Sequence, residues 1–204
     1  MKEADRRQIL LGTGAIGAAS LAGPAKAQDP NPSDTGPRIN AEGWDANSPP
    51  ELAFLFEARV KLHLPATTLG RTPSGDRAIF FVKEGMFEGP QLRGRVMPNS
   101  GADWITIRPD GSGVLDVRFC LETDDNALLY LHWHGRYWAP PEHAAYALDV
   151  EKPDDPDGAW RYYFRTSPQF ETSDPRYAWL NNTVAISKSR TGDGGPIHRV
   201  FAVL

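Results

Sequence analysis

From Leu52 the chain alternates. Leu52, Phe54, Phe56, Ala58 and Val60 fall on one side of a period of two, with Ala53, Leu55, Glu57 and Arg59 on the other. Such a segment reads as a strand that is covered on both sides at its start. The same short period recurs over 77–82, 91–97, 103–108, 114–122, 128–135, 161–166, 183–188 and 197–203. Turn chemistry separates these runs, as in Pro73-Ser74-Gly75, Glu88-Gly89-Pro90, Asn99-Ser100-Gly101, Pro109-Asp110-Gly111 and Asp193-Gly194-Gly195. Short strands at this close spacing predict an antiparallel sandwich or barrel. One stretch, 141–148, reads as a helix, with Pro141 and Glu142 suited to its first turn.

The most informative pair of strands is 114–122 and 128–135, joined by the polar loop Thr123-Asp124-Asp125-Asn126-Ala127. With Glu122 opposite Leu128, the apolar residues Leu115, Val117, Phe119, Leu121, Leu129, Leu131 and Trp133 share one face. Asp116, Arg118, Cys120, Tyr130, His132 and His134 share the other. Two readings follow. In one, the apolar face is the core and the polar face meets water. In the other, the polar face lines a barrel lumen, and the apolar face is covered by a second layer or a partner chain, because monomers rarely expose so large an apolar patch. That second reading leads to the expectation of a homodimer.

Composition narrows the class. The 204 residues carry a net charge of -4, with 18 Pro, 19 Gly and one Cys. A disulfide framework and a multi-thiolate metal site are excluded, and no basic stretch points to nucleic acid. Residues 1–27 have the anatomy of an export signal. Arg6-Arg7 precede an uncharged, glycine-containing stretch from Ile9 to Ala25, which closes in Ala25-Lys26-Ala27. The Arg pair, the weakly apolar middle and Lys26 favour the twin-arginine export machinery, with cleavage after Ala27 and a periplasmic product that has no stable membrane anchor. Residues 28–50, rich in Pro, Asn, Ser and Asp, read as a disordered leader, and the domain spans 51–204.

Several motifs, in order, resemble one family. They are Gly85-Met86-Phe87-Glu88-Gly89-Pro90-Gln91-Leu92-Arg93-Gly94, Gly101-Ala102-Asp103-Trp104, Leu115-Asp116-Val117-Arg118-Phe119 with Leu121-Glu122-Thr123-Asp124-Asp125, Tyr163-Phe164-Arg165-Thr166, Phe170-Glu171-Thr172, Asp174-Pro175-Arg176-Tyr177 and Trp179-Leu180-Asn181. They resemble the domain-of-unknown-function-3237 family, also called uncharacterised protein family 0311. The resemblance implies an all-β fold, a single antiparallel closed β-barrel of the calycin or allene-oxide-cyclase kind, and no established activity for most members. Two departures stand out. Leu131-His132-Trp133-His134-Gly135-Arg136 replaces a small or hydrophobic run, and Asn126 stands where a turn glycine is usual.

Asp103, beside Trp104 and a strand's length before Arg108, is a carboxylate that an aromatic wall and a guanidinium can tune. Arg165, Glu171, Tyr177 and Trp179 form a grouping able to orient a carbonyl or carboxylate. His132 and His134 are about 6.6 Å apart along one face of a strand, with Asp116 a third ligand in the proposed register. A set of two His and one carboxylate suits Zn, Fe or Mn, but the motif is short and the resemblance implies no metal, so the expectation is no metal and no cofactor. No Gly-x-Ser-x-Gly, phosphate loop or dinucleotide fingerprint is present.

The expected function is therefore an exported barrel that binds a small, partly apolar carbonyl or cyclic compound and acts on it by proton transfer, as in isomerisation, cyclisation or elimination. Asp103 and Asp116 are the candidate catalytic residues. Trp104, Arg108, Tyr130, Arg165, Glu171, Tyr177 and Trp179 are the candidate substrate-binding residues. The alternative is a periplasmic carrier with the same pocket and no chemistry. The intact mass of exported protein tests the first step. A chain beginning at Gln28 is expected, and a chain that keeps residues 1–27 would contradict the signal.

Overall fold

The computed structural model describes residues 49–204, so residues 1–27, expected to be an export signal, and all but the end of the expected leader 28–50 lie outside the described residues. No helix among the described residues is long and apolar enough to cross a membrane. The strands are β1 (Leu52–Leu62), β2 (Thr67–Thr72), β3 (Gly75–Glu88), β4 (Arg93–Val96), β5 (Ala102–Asp103), β6 (Thr106–Ile107), β7 (Gly113–Thr123), β8 (Leu128–Trp138), β9 (Tyr163–Glu171), β10 (Ala185–Gly192) and β11 (Gly195–Val203). The single α-helix among the described residues, α1, spans Pro141–Leu148, as expected, with Pro141 in its first turn, where a missing N–H costs nothing.

All pairings are antiparallel. The order runs β1-β11-β10-β9-β8-β7, then β4, β5 and β6 in turn, then β3, which pairs back onto β1. That last pairing, Glu57 opposite Glu88 through Leu62 opposite Val82, closes an eight-position barrel and leaves β2 as a flap on β3. The expected segment 103–108 is split into β5 and β6, which share the same two neighbours, and the 3-10 turns Pro156–Arg161 and Ala178–Asn182 are additional.

The β7–β8 register agrees residue for residue, with Glu122 opposite Leu128 and Asp116 opposite His134. Asn126 takes a left-handed φ of 67°, which explains how it replaces a turn glycine, since asparagine tolerates this region. The direction of the two faces is the reverse of the second reading. Leu115, Val117, Phe119, Leu121, Leu129, Leu131 and Trp133 are all buried and point into the barrel. Asp116, Arg118, Cys120, Tyr130, His132 and His134 point outward. Closure itself covers the apolar face, so no second layer or partner is needed, and the reason for expecting a dimer disappears.

Strand β1 also departs from its simple alternation. A register shift between Phe54 and Phe56 turns the face over, so that Leu55 and Phe56 are both buried while Leu52 is half exposed. One end of the barrel is packed solid: Phe56 meets Phe87 and Phe170 edge to face at 5.5 and 6.1 Å, with Leu92, Leu129 and Leu180 fully buried. The β7–β8 loop is tied down there by Asp125, which accepts from the Tyr177 hydroxyl at 3.0 Å and from Arg176 at 2.7 Å.

Over the other end runs α1 with the strap that follows it. Asp154 in the strap is paired with the buried Arg190 at 2.6 and 2.7 Å and with Arg59 at 3.0 Å, which holds its carboxyl below the usual range. Thr191 Oγ1 donates to the carbonyl of Ala147 at 2.8 Å, and the backbone N–H groups of Asp193 and Gly194 donate to Lys152 and Val150. A helix of eight residues is marginal alone, so these tethers rather than propensity fix its place.

Candidate active site

Beneath α1 the barrel is hollow. The cavity measures about 90 Å³ and is walled by aliphatic and aromatic side chains, among them Val60, Phe80, Val82, Ile105, Leu115, Val117 and Phe164, with Ala147 and Leu148 of α1. Only a few polar side chains reach it: Asp103, Trp133, Tyr137, Thr191 and His198. Their positions follow from pleat parity. Asp103 pairs with the inward residue Val117, so its carboxyl enters the lumen with that row. His198 shares its face with the buried Val200 and Ala202.

Asp103 sits in a wall that offers little compensation. Its Oδ1 accepts one hydrogen bond, from the Asp116 backbone N–H at 3.3 Å, and no cation faces it in the lumen. Desolvation pushes its carboxyl from 3.8 up to about 7; the backbone hydrogen bond partly offsets this and the charge of Asp116 adds to it. Near neutral pH the group is thus close to half protonated, able to take a proton or give one. His198 goes the other way: burial lowers it from 6.5 to about 3, so the imidazole is neutral. Its Nδ1 lies 2.7 Å from Ser189 Oγ, the first of a buried hydroxyl chain through Ser187 at 2.8 Å to Thr166 at 2.6 Å. This chain fixes the ring while leaving Nε2 without a protein partner among the described residues.

Two residues that line the cavity carry an unpaired donor. Trp133 Nε1 and the Tyr137 hydroxyl are buried and have no hydrogen-bond partner among the described residues. Burial also pushes the Tyr137 phenol well up, so it acts as a donor and not as a phenolate. Leaving such a group unsatisfied costs about 1–3 kcal/mol, a cost a ligand with acceptor atoms would relieve.

The expected site residues divide sharply. Asp103 is in the lumen. Asp116 and Tyr130 are on the outer wall, and Trp104, one residue past Asp103, points outward with the Arg118 guanidinium 5.8 Å from its ring. Arg108 is exposed in the turn after β6. Arg165 lies over the Tyr163 ring at 5.0 Å, in an open surface cleft with Trp138, Trp160 and Lys188. Glu171 is exposed at the end of β9. Tyr177 and Trp179 pack under the solid end of the barrel, far in the fold from the hollow end. The reading that puts Asp116, Arg118 and Tyr130 in the lumen is therefore overturned. Burying several charges in an apolar barrel is expensive, and parity places them in water instead. His198, Trp133 and Tyr137 are the residues that pattern reading passed over. A histidine at the inward parity of Ile197-His198-Arg199-Val200 was the available signal.

The match to the family model of the Protein of unknown function (DUF3237) covers residues 50–203. The chain belongs to this family. A UPF0311 protein from Rhodopseudomonas palustris (strain TIE-1) is 37% identical over 130 residues, covering 64% of this chain and 81% of the relative. A UPF0311 protein from Clostridium acetobutylicum is 34% identical over 112 residues, covering 55% of this chain and 68% of the relative. Among solved structures, a β-barrel-like protein from Acinetobacter baumannii AYE superposes with a TM-score of 0.65 at 36% identity, covering 77% of this chain and 98% of that one. An enzyme from Penicillium herquei superposes with a TM-score of 0.56 at 21% identity, covering 78% and 98%, a likeness of fold alone. The DUF3237 domain of this chain is thus a closed barrel like those of its relatives, with Asp103 of the Gly101-Ala102-Asp103-Trp104 motif inside it.

The buried carboxyl gives a signed pH dependence. Between about 4 and 7 the unfolded chain has released the Asp103 proton and the folded chain retains it, so this group favours the fold in acid and loses that contribution as pH rises through 7. His198 acts oppositely, favouring the fold above about 6.5 and losing that contribution as pH falls. A direct comparison of wild type with Asp103→Asn cancels the histidine. The variant should gain on wild type from pH 4 to 7 by about 2 kcal/mol or more and then level off, as read by denaturant unfolding. A difference that does not vary with pH would contradict the buried placement.

Proposed function

We propose that the DUF3237 barrel of this chain binds a small neutral molecule in its lumen and transfers protons to or from it through Asp103. The observation that supports this is one carboxyl, tuned close to neutral, sharing an apolar cavity with two unpaired donors. An apolar wall selects an uncharged ligand. The Trp133 N–H and Tyr137 O–H supply hydrogen bonds to a carbonyl, ether or enol oxygen, and these strengthen as negative charge builds on it. Asp103 removes a proton next to that oxygen, or delivers one to the neighbouring carbon, and neutral His198 lines the same cavity as an uncharged hydrogen-bonding group.

Size sets a further limit. About 90 Å³ is well below the roughly 300–1,000 Å³ of drug-sized pockets, and an engineered cavity of about 150 Å³ holds benzene. The closed lumen accepts a few heavy atoms. A ring-sized substrate would need α1 and its strap, whose Ala147, Leu148 and Val150 line the cavity, to shift outward. On the export reading of residues 1–27, the protein works in the periplasm.

A panel of monocyclic ketones, enones and phenols, with cyclohex-2-enone as reference probe, tests this by thermal shift and by deuterium exchange at the carbon next to the carbonyl. Tyr137→Phe should raise the stability of the free protein by about 1–3 kcal/mol, because it removes an unpaired buried hydroxyl, and should weaken binding about tenfold. Asp103→Asn should retain binding and slow exchange by about a hundredfold or more. Binding without any exchange in wild type would favour the carrier. If no compound in the panel bound, the reading would fail.

A further inference from the structure

The outer wall carries a second cluster, distinct from the lumen. The β7–β8 ladder sets Asp116 directly across from His134 and Arg118 across from His132, and all these side chains point away from the cavity. A carboxylate oxygen of Asp116 and one ring nitrogen from each histidine lie within 4.8 Å of one another. His132 Nε2 is 3.2 Å and His134 Nδ1 is 4.0 Å from the same Asp116 Oδ1, and the two imidazoles meet edge to face at 4.4 Å. Hydrogen bonding explains only half of this arrangement: at 4.0 Å the His134 nitrogen is beyond hydrogen-bond range, yet it faces the same oxygen.

We propose that Asp116, His132 and His134 form a binding site for a borderline divalent transition-metal ion, Zn2+ foremost. Metal–ligand bonds of about 2.0–2.2 Å in a tetrahedral arrangement set donor atoms about 3.3 Å apart. One separation already has that value, and the others close by roughly 1 Å through side-chain rotation while two hydrogen-bonded strands hold the backbone. Two imidazoles and one carboxylate suit Zn2+, with a fourth position left to water, and disfavour Mg2+ and Ca2+, which take oxygen donors. A short His-x-His motif could not support this on its own. What the fold adds is the convergence of the three donor atoms.

One side chain competes for the site. The Arg118 guanidinium is 3.2 Å from Asp116 Oδ1, part-exposed, and adjacent to the Trp104 ring, so it has room to swing aside. A metal entering here displaces one cation from the carboxylate. Affinity in the micromolar range, rather than the far tighter range of closed structural sites, is the consequence.

Calorimetric titration of the tag-free full chain with ZnCl2, paired with Co2+ absorption, tests the proposal. One Zn2+ per chain with a micromolar Kd is expected, along with Co2+ bands of a four- or five-coordinate ion. His132→Ala and His134→Ala should each weaken binding at least tenfold, and Arg118→Met should tighten it several-fold. His134→Gln, at an exposed position, keeps the test decisive if an alanine variant fails to fold. Absence of saturable binding below about 1 mM Zn2+, or wild-type affinity in either His134 variant, would overturn the site.

Discussion

Pairing of β1 with β3 is the constraint on which the rest of the structure depends. Until that edge is joined, the sheet has an apolar face that must find a cover elsewhere. Once it is joined, each inward side chain faces the others across a shared lumen, and each outward one meets water. Parity then decides chemistry. Asp103 and Asp116 belong to the same polar neighbourhood of the fold, joined by a backbone hydrogen bond, yet one carboxyl is inside and the other outside. The inner one is pushed toward neutrality by desolvation. The outer one keeps the company of an arginine and two histidines.

The barrel is filled unevenly, and this is what makes a site. Large aromatic and leucine side chains close the end near the β7–β8 loop, whereas the end beneath α1 keeps a cavity. The strap over it is held by the Asp154–Arg190–Arg59 group and by backbone hydrogen bonds to the β10–β11 hairpin. Unpaired Trp133 and Tyr137 donors at the hollow end are hard to account for as packing, since a phenylalanine at either position would avoid the desolvation cost. Both residues line the same cavity as Asp103.

Much of the fold was legible in the pattern of residues. The β7–β8 register, the bounds of α1 and the turns between strands follow from period two, a five-residue polar loop and proline at a first helical turn. Period two does not say which face is inside, because alternation is the same viewed from either side. Closure decides that, and closure depends on the long-range β1–β3 pairing, which leaves no local mark. The β1 bulge was hidden for the same reason: Leu55 and Phe56 are both apolar, so the flip of the face does not break the hydrophobic pattern. Asp103 was legible through its motif, and its burial was not. His198 has only its parity with Val200 to mark it, and that parity points inward only once closure has fixed the inner face.

Asp103 lies in an apolar lumen, where desolvation pushes its carboxyl up to about 7. Carbon-13 NMR of the labelled side-chain carboxyl, assigned with Asp103→Asn, measures this directly. A midpoint at about 7 is expected. A midpoint near the ordinary aspartate value of about 4 would place the carboxyl in water and contradict it.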